Sequence, residues 1–340
     1  MSRRSGSLRS YVFTRLLLTI PMVLILLTFV FIVLRVAPGD PIQAAYGQKL
    51  NPQQLAEVRH ALGLDRPLIV QYGKYLASVA HGDFGRSVVT DQSVGSVIRA
   101  RFPATLELTI AAMIIAVVVG VGLGALAGRY RDTPLDLGGR LFGIVIYAAP
   151  IFWLGMMFQL VFAVKLHIFP TGGRIAAFAD PRHITGLYTV DSVITGNWSS
   201  LWTSLRYLAL PSITLGLVIG GILVRLVRVH MLQTLQADYV EAARARGIPE
   251  WRVVMRHAFR NALIPVVTIT GLQFAALLGG AVLTETTFTW PGLGSQLVDY
   301  LGSRDYPGVQ GIVTFFAFLV VGVSLLIDIL NAYVDPRIRY

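Results

Sequence analysis

Six stretches of this 340-residue chain contain no Asp, Glu, Lys, Arg or His: residues 16–34, 108–128, 141–164, 207–224, 261–284 and 306–327. Each approaches the ~20 apolar residues that carry an α-helix across a bilayer, where only a complete intrahelical ladder satisfies the backbone. The pattern predicts an all-α membrane protein with six transmembrane helices. The first run exceeds the roughly 7–15 apolar residues of a signal peptide, and no small-x-small cleavage site follows, so it reads as a retained anchor. Polar segments 35–101 and 165–206 lie on one side of the runs. In the first of them, 52–62 and 67–79 read as short amphipathic helices punctuated by Gly63, Gly82 and Gly85.

Charge orients this arrangement. An even number of spans puts both termini on one side. That side collects Arg3, Arg4, Arg9, Arg15, Arg129, Arg131, Arg140, seven arginines from Arg225 to Arg260, Arg337 and Arg339. These are 16 of the 29 basic residues, set against seven of the 18 acids. Lys/Arg bias in short loops sets topology, so both termini and the 225–260 segment are expected to be cytoplasmic. The net charge of +11 is then topological; membrane lipid is the expected neighbour and no nucleic-acid partner is expected. A chain 54% hydrophobic and only 14% charged agrees with a polytopic protein.

Several chemistries lack their residues. The chain has no cysteine, and its six histidines are scattered, so no disulfide, thiolate nucleophile or metal site is expected, and no catalytic residue stands out. Of three lysines only Lys74 follows a glycine, and Tyr75 stands where a P-loop needs Ser or Thr. Nucleotide energy must therefore come from another polypeptide. The run interiors hold no Asp, Glu, Lys, Arg or His, which disfavours proton or sodium coupling. Glu107, Glu285 and Asp328 lie at run ends and read as interface residues or caps. Gly120, Gly124 and Gly128 form two G-x-x-x-G steps, a face for close helix packing rather than nucleotide binding. Asn197-Trp198-Ser199 fits a glycosylation sequon, a triplet common by chance.

The most polar stretch between long runs is a helix–Gly–helix unit. Asp238–Arg246 reads as a short helix with Asp238 and Glu241 in its first turn, favourable to the macrodipole. Gly247 suits a left-handed stop, and Pro249 the start of a second helix. There Trp251, Val254, Met255, Ala258 and Phe259 follow one helical stripe, while Arg252, Arg256 and Arg260 recur on another face. A basic surface helix would explain the arginines alone. It leaves the small Glu241-Ala242-Ala243 face, the glycine break and Ile264-Pro265 without a role, whereas a rigid knob that docks in a cleft of another protein uses them all.

Here the chain resembles a known family. Glu241-Ala242-Ala243, Gly247 and Ile264-Pro265 match the "EAA" loop of ABC importer permeases. Supporting segments run nearly end to end. They are Pro38-Gly39-Asp40-Pro41, Ala104-Thr105-Leu106-Glu107-Leu108, Pro150-Ile151-Phe152-Trp153, Arg260-Asn261-Ala262, the decapeptide from Glu285 to Gly294, Arg304-Asp305-Tyr306-Pro307 and Asp335-Pro336-Arg337-Ile338-Arg339. In this order they resemble the B-type permease of dipeptide/oligopeptide importers. The resemblance implies a type I ABC importer permease fold in the bacterial cytoplasmic membrane. An N-terminal unit would span 1–100 with its anchor at about 12–34. The permease domain would span 101–332 with helices at about 106–128, 141–164, 207–224, 261–284 and 306–328, followed by a tail at 333–340.

It also implies partners: a second homologous permease, two ATP-binding cassette subunits carrying ATP and Mg, and an extracytoplasmic substrate-binding protein. Tyr239, Glu241, Ala242, Ala243, Arg244, Gly247 and Trp251 would form the ATPase-docking element, with no cofactor in this chain. Independently of the resemblance, Thr171, Gly172, Gly173 and Arg174 read as an ordinary turn, with contact to the binding protein as the alternative. Uptake of nickel chelate, haem or glutathione stays open beside peptides. From other classes, an ATP-independent channel or a membrane scaffold also stays open.

Overall fold

Pro150 marks where the third apolar run bends, whereas Pro21, Pro103, Pro211 and Pro265 lie within continuing helices. The structure, a computed structural model, describes residues 8–36, 51–61, 63–176 and 183–334. The segments Pro38–Pro41 and Asp335–Arg339, together with Arg3, Arg4 and Leu62, lie outside the described residues. Among the described residues the only β feature is an isolated bridge between Arg86 and Ser93.

The helices in chain order are α1 (Leu8–Val36), α2 (Pro52–Ala61), α3 (Leu68–Ala80), α4 (Val94–Arg129) and α5 (Pro134–Ala148). There follow α6 (Ile151–Phe158, continued by π turns Gln159–Lys165), α7 (Tyr188–Ile194), α8 (Trp198–Leu235) and α9 (Asp238–Ala245). The chain closes with α10 (Glu250–Arg252, π-helical Val253–Phe259, then Arg260–Gly280), α11 (Val282–Thr287), α12 (Leu293–Gly302) and α13 (Tyr306–Val334).

Helices α1, α4, α8, α10 and α13 are each long and apolar enough to cross a membrane. The third run is not the single straight helix expected: α5 and α6 meet at a bend of 103°. Its cause is local. A residue preceding proline is pushed out of the helical region, and Ala149, before Pro150, is extended with ψ 131. The fourth run is the middle of a longer helix. Asn197 caps α8 by accepting from the Ser200 amide at 3.0 Å, which gives the apparent sequon a structural use.

Length explains what lies beyond the membrane. The 36 residues of α4 and 38 of α8 rise about 1.5 Å each, so both exceed a hydrocarbon core of about 30 Å. They pack along one another, and glycine makes this close. An ideal Cβ on Gly120, Gly124 or Gly128 would stand 2.4, 2.7 or 2.5 Å from Leu223, Val227 or Met231 Cβ. The contact buries Leu108, Ala112, Ala116, Leu215, Leu223 and Val227 in the main core. A second cluster joins Val94 and Ile98 to Leu293, Tyr300 and Ile312. Helix α3 ties α1 to α13: Thr28 Oγ1 meets Tyr72 Oη at 2.5 Å, and Tyr75 Oη meets Thr314 Oγ1 at 2.7 Å.

Candidate functional site

Two constructions stand at opposite ends of the α4–α8 pair. The first is the knob of α9 and the start of α10. Val240 and Ala243 face inward and pack with Val253 and Ala258, with Leu235 and Ile248 around them. The other face of α9 is exposed, including Tyr239, Glu241, Ala242 and Arg244. Gly247 has φ +73, a region open to glycine without Cβ strain. Its amide donates to the Arg244 carbonyl at 2.9 Å and that of Ile248 to the Ala243 carbonyl at 3.3 Å, closing the helix end. Arg244 then crosses the turn. Its Nη2 donates to Glu250 Oε1 at 2.9 Å, Nε to Oε2 at 3.2 Å, and Nη1 to the Leu235 carbonyl at 3.3 Å. The hydrogen bonds to Glu250 raise the Arg244 pKa.

The second helix of the knob departs from the expected stripe. Val253, Val254 and Ala258 are buried, whereas Trp251 and Met255 are exposed. The π turns of Val253–Phe259 are the reason: i→i+5 closure rotates the buried set away from a 3.6-residue register. Trp251 therefore stands on the outside of the knob, beside Arg252, whose guanidinium carbon lies 5.3 Å from its ring centre. Near the knob, α5 is tied to α8. Asp136, fully buried at the start of α5, accepts from Arg228 of α8 through Nε and, at 2.8 Å, Nη2.

The second construction closes the far end. Glu107 and Glu285 are neither interface residues nor caps; they are 5% and 0% exposed and sit inside protein, where each has found partners. Glu107 Oε2 accepts from Arg174 Nη2 at 2.6 Å and Nε at 3.0 Å, and Oε1 accepts from the amide and hydroxyl of Thr189, both at 2.7 Å. Arg174 also donates to the Gly186 carbonyl at 2.6 Å and lies 3.8 Å from the centre of the Tyr188 ring. Glu285 Oε1 accepts from Thr105 Oγ1 at 2.6 Å and Oε2 from the Ser295 amide at 2.9 Å. Gly292 and Gly294 cradle that carboxylate, since a Cβ on either would come within 2.3 and 2.9 Å of it. Trp290, buried, donates Nε1 to the Ala104 carbonyl at 2.9 Å. Asp191 organises the neighbouring turn by accepting from Thr185 and from the amides of Ile184 and Gly186. Burial pushes its carboxyl up, but these hydrogen bonds outweigh it and leave the pKa lowered.

The four residues 171–174 belong to this assembly. The Thr171 carbonyl accepts from Gln159 Nε2 at 2.7 Å, Gly173 N donates to the Phe288 carbonyl at 2.9 Å, and Gly172 lies against that same carbonyl. Arg174 is buried on Glu107, so Thr171 is the exposed member. Asp305 does similar work for α13, accepting from Ser87 Oγ, from the Val88 amide at 3.2 Å and from Gly308 at 3.0 Å. No group of three or more metal-binding side chains converges among the described residues.

The family model described as binding-protein-dependent transport system inner membrane component matches residues 120–340, and the model of its N-terminal region matches 8–109. The chain is 41% identical to the di/tripeptide transport system permease protein DppB of Pseudomonas aeruginosa, covering 97% of this chain and 99% of that one. It is 40% identical to the dipeptide transport system permease protein DppB of Escherichia coli, over 97% and 98%. It is also 39% identical to the glutathione transport system permease protein GsiC of Salmonella paratyphi A, over 97% and 99%.

Proposed function

The chain belongs to the family of binding-protein-dependent transport system inner membrane components, and from that premise we propose that it is one permease of an ATP-driven importer of dipeptides or short peptides. It is a multi-pass protein of the cytoplasmic membrane and a transport component rather than an enzyme. In this reading a second permease completes the pathway, two ATP-binding cassette subunits supply energy, and an extracytoplasmic binding protein delivers substrate. The similarity to permeases named for dipeptide transport, over nearly the full length of each chain, supports the substrate class. Similarity to a permease named for glutathione transport is of the same degree. Ligand choice is therefore assigned mainly to the binding protein.

One observation carries the coupling mechanism: the knob is locked on its inner side and exposed on its outer side. Buried Val240 and Ala243, the Gly247 turn and the Arg244–Glu250 pair make it a rigid body. Tyr239, Glu241, Ala242 and Trp251 are left for a partner's groove. A partner can drive a conformational change only through contacts that differ between the two states. In this reading the ATPase makes those contacts at the knob, with both termini and this end of α8 in the cytoplasm, and the arginine distribution supports that orientation. At the other end the Glu107–Glu285 assembly, with Thr171 at its surface, receives the binding protein.

Gentle purification of the tagged chain from native membranes tests the assembly, and labelled-dipeptide uptake by deletion and complemented cells tests the substrate. Co-purification of a second permease and P-loop ATPases, with uptake restored by complementation, is the expected result. Recovery of the chain alone, under conditions that keep other such complexes intact, would sink the coupling assignment. Uptake of glutathione but not dipeptides would move the substrate and leave the mechanism.

A further inference from the structure

An open groove of about 680 Å³ runs between α5 and α8. That volume falls within the range of about 300–1,000 Å³ typical of ligand sites. Asp136 opposite Arg228 and Gly143 opposite Gly221 fix an antiparallel register between the two helices. Arg140, Arg225 and Arg228 consequently stand at the end nearer the knob, and Ile144, Tyr147 and Ile222 line the part that runs into the membrane. Ile144 and Tyr147 are 63% and 64% exposed, so no described element of this chain covers that wall.

The charges at the groove do not balance. Arg228 is committed to Asp136. Arg140 reaches the same carboxylate only at 3.6 Å, with its side chain 47% exposed. Arg225 is exposed and makes no hydrogen bond or ion pair among the described residues. Three guanidinium groups thus stand here beside one carboxylate, which only Arg228 and Arg140 approach, leaving two positive charges where the apolar wall meets the membrane surface. Guanidinium groups pair well with phosphate oxygens, and basic pockets between membrane helices suit anionic lipid headgroups.

We propose that this groove holds one anionic phospholipid, its phosphate between Arg140 and Arg225 and one acyl chain along Ile144, Tyr147 and Ile222. A free phosphate ion would gain nothing from the apolar wall, and a zwitterionic lipid would leave the excess charge unanswered. The bound lipid would brace α5 against α8 at the base of the knob. This inference requires only that the chain is embedded in a membrane; it does not depend on which substrate is imported.

The test uses the intact assembly in nanodiscs of phosphatidylglycerol mixed with phosphatidylcholine, extracted into detergent and read by native mass spectrometry. Wild type should retain one phosphatidylglycerol in preference to phosphatidylcholine. Arg225→Gln should weaken that retention about fivefold, the equivalent of about 1 kcal/mol per basic residue near a membrane surface. Arg140→Gln with Arg225→Gln should weaken it more than about tenfold. Arg99→Gln, exposed at the far end of α4, should change nothing. Ile144→Trp, which fills the groove and keeps every arginine, should also expel the lipid. Equal retention of both lipids, or unchanged retention in the double variant, would overturn the proposal. So would efficient crosslinking of Ile144→Cys to the second permease, because protein would then occupy the groove.

Discussion

Gly122 and Gly247 both have open space where a Cβ would stand, yet side chains at the two positions should behave differently. Gly122 lies within α4 with ordinary helical backbone, and alanine is the better helix former, so Gly122→Ala should be neutral or slightly stabilising. Gly247 sits at φ +73, where a side chain costs about 1–2 kcal/mol unless it is one, like Asn, that tolerates this region. Gly247→Val should loosen the turn that fastens α9 to α10 and abolish most dipeptide uptake at matched membrane levels, whereas Gly247→Asn should keep it. Equal uptake in both variants would separate the geometry of this turn from transport. Glu241→Lys reverses a charge on the exposed face of the same knob, and should depress uptake and ATPase co-purification while leaving membrane insertion intact. Gly120 gives the opposite case to Gly122. Its added Cβ would meet Leu223 Cβ at 2.4 Å and the Gly220 carbonyl at 3.0 Å, so Gly120→Ala must push α4 from α8. Overpacking of this kind costs about 1–3 kcal/mol, measurable as a lower thermal midpoint in detergent beside an unshifted Gly122→Ala.

At the scale of elements, the far-end assembly depends on charges that have partners. Arg174→Met would leave Glu107 buried with only Thr189 to hold it. Removing one member of a buried pair costs about 3–5 kcal/mol, because the remaining charge is uncompensated. Thr189→Val removes one neutral hydroxyl donor and leaves the Arg174–Glu107 pair intact, so it should cost less. Thermal unfolding of the two variants should show that order; the reverse order would mean that Arg174 acts through packing on Tyr188 rather than through charge. The same assembly shows what was legible in the sequence. Elements set by neighbours a few residues apart could be read directly: the α9 helix with its Gly247 stop, the short helices α2 and α3, and the glycine face of α4. Glu107 and Glu285 could not, since Arg174 lies 67 residues from the first and Thr105 180 residues from the second. The one local hint was two glycines, Gly292 and Gly294, close behind Glu285. The apolar stripe from Trp251 to Phe259 misled because periodicity assumes 3.6 residues per turn, and the π turns there break it. Pro150 likewise divides a charge-free run that composition alone joins.

For the whole molecule, the proposed roles of the two constructions would divide the labour of a transport cycle. Glu107 holds together α4, the loop carrying Arg174 and α7, while Glu285 and Thr105 join α11 and α12 to that same end of α4. These elements share buried hydrogen bonds that would have to be broken, at a cost of several kcal/mol, before they could move apart. They should therefore travel as one body, and a change between inward- and outward-facing states should appear between this body and the second permease rather than within it. Ile194 at the end of α7 and Leu301 near the end of α12 are both exposed and suit spin labels after replacement by cysteine. Pulsed electron–electron resonance on the reconstituted assembly should give one Ile194–Leu301 distance, unchanged by ATP with vanadate. The distance from Leu301 to a label on the outer face of the second permease should shift under the same conditions. A change in the first distance would show that the outer assembly comes apart during the cycle. The buried carboxylates would then be part of the gate itself instead of the frame on which it swings.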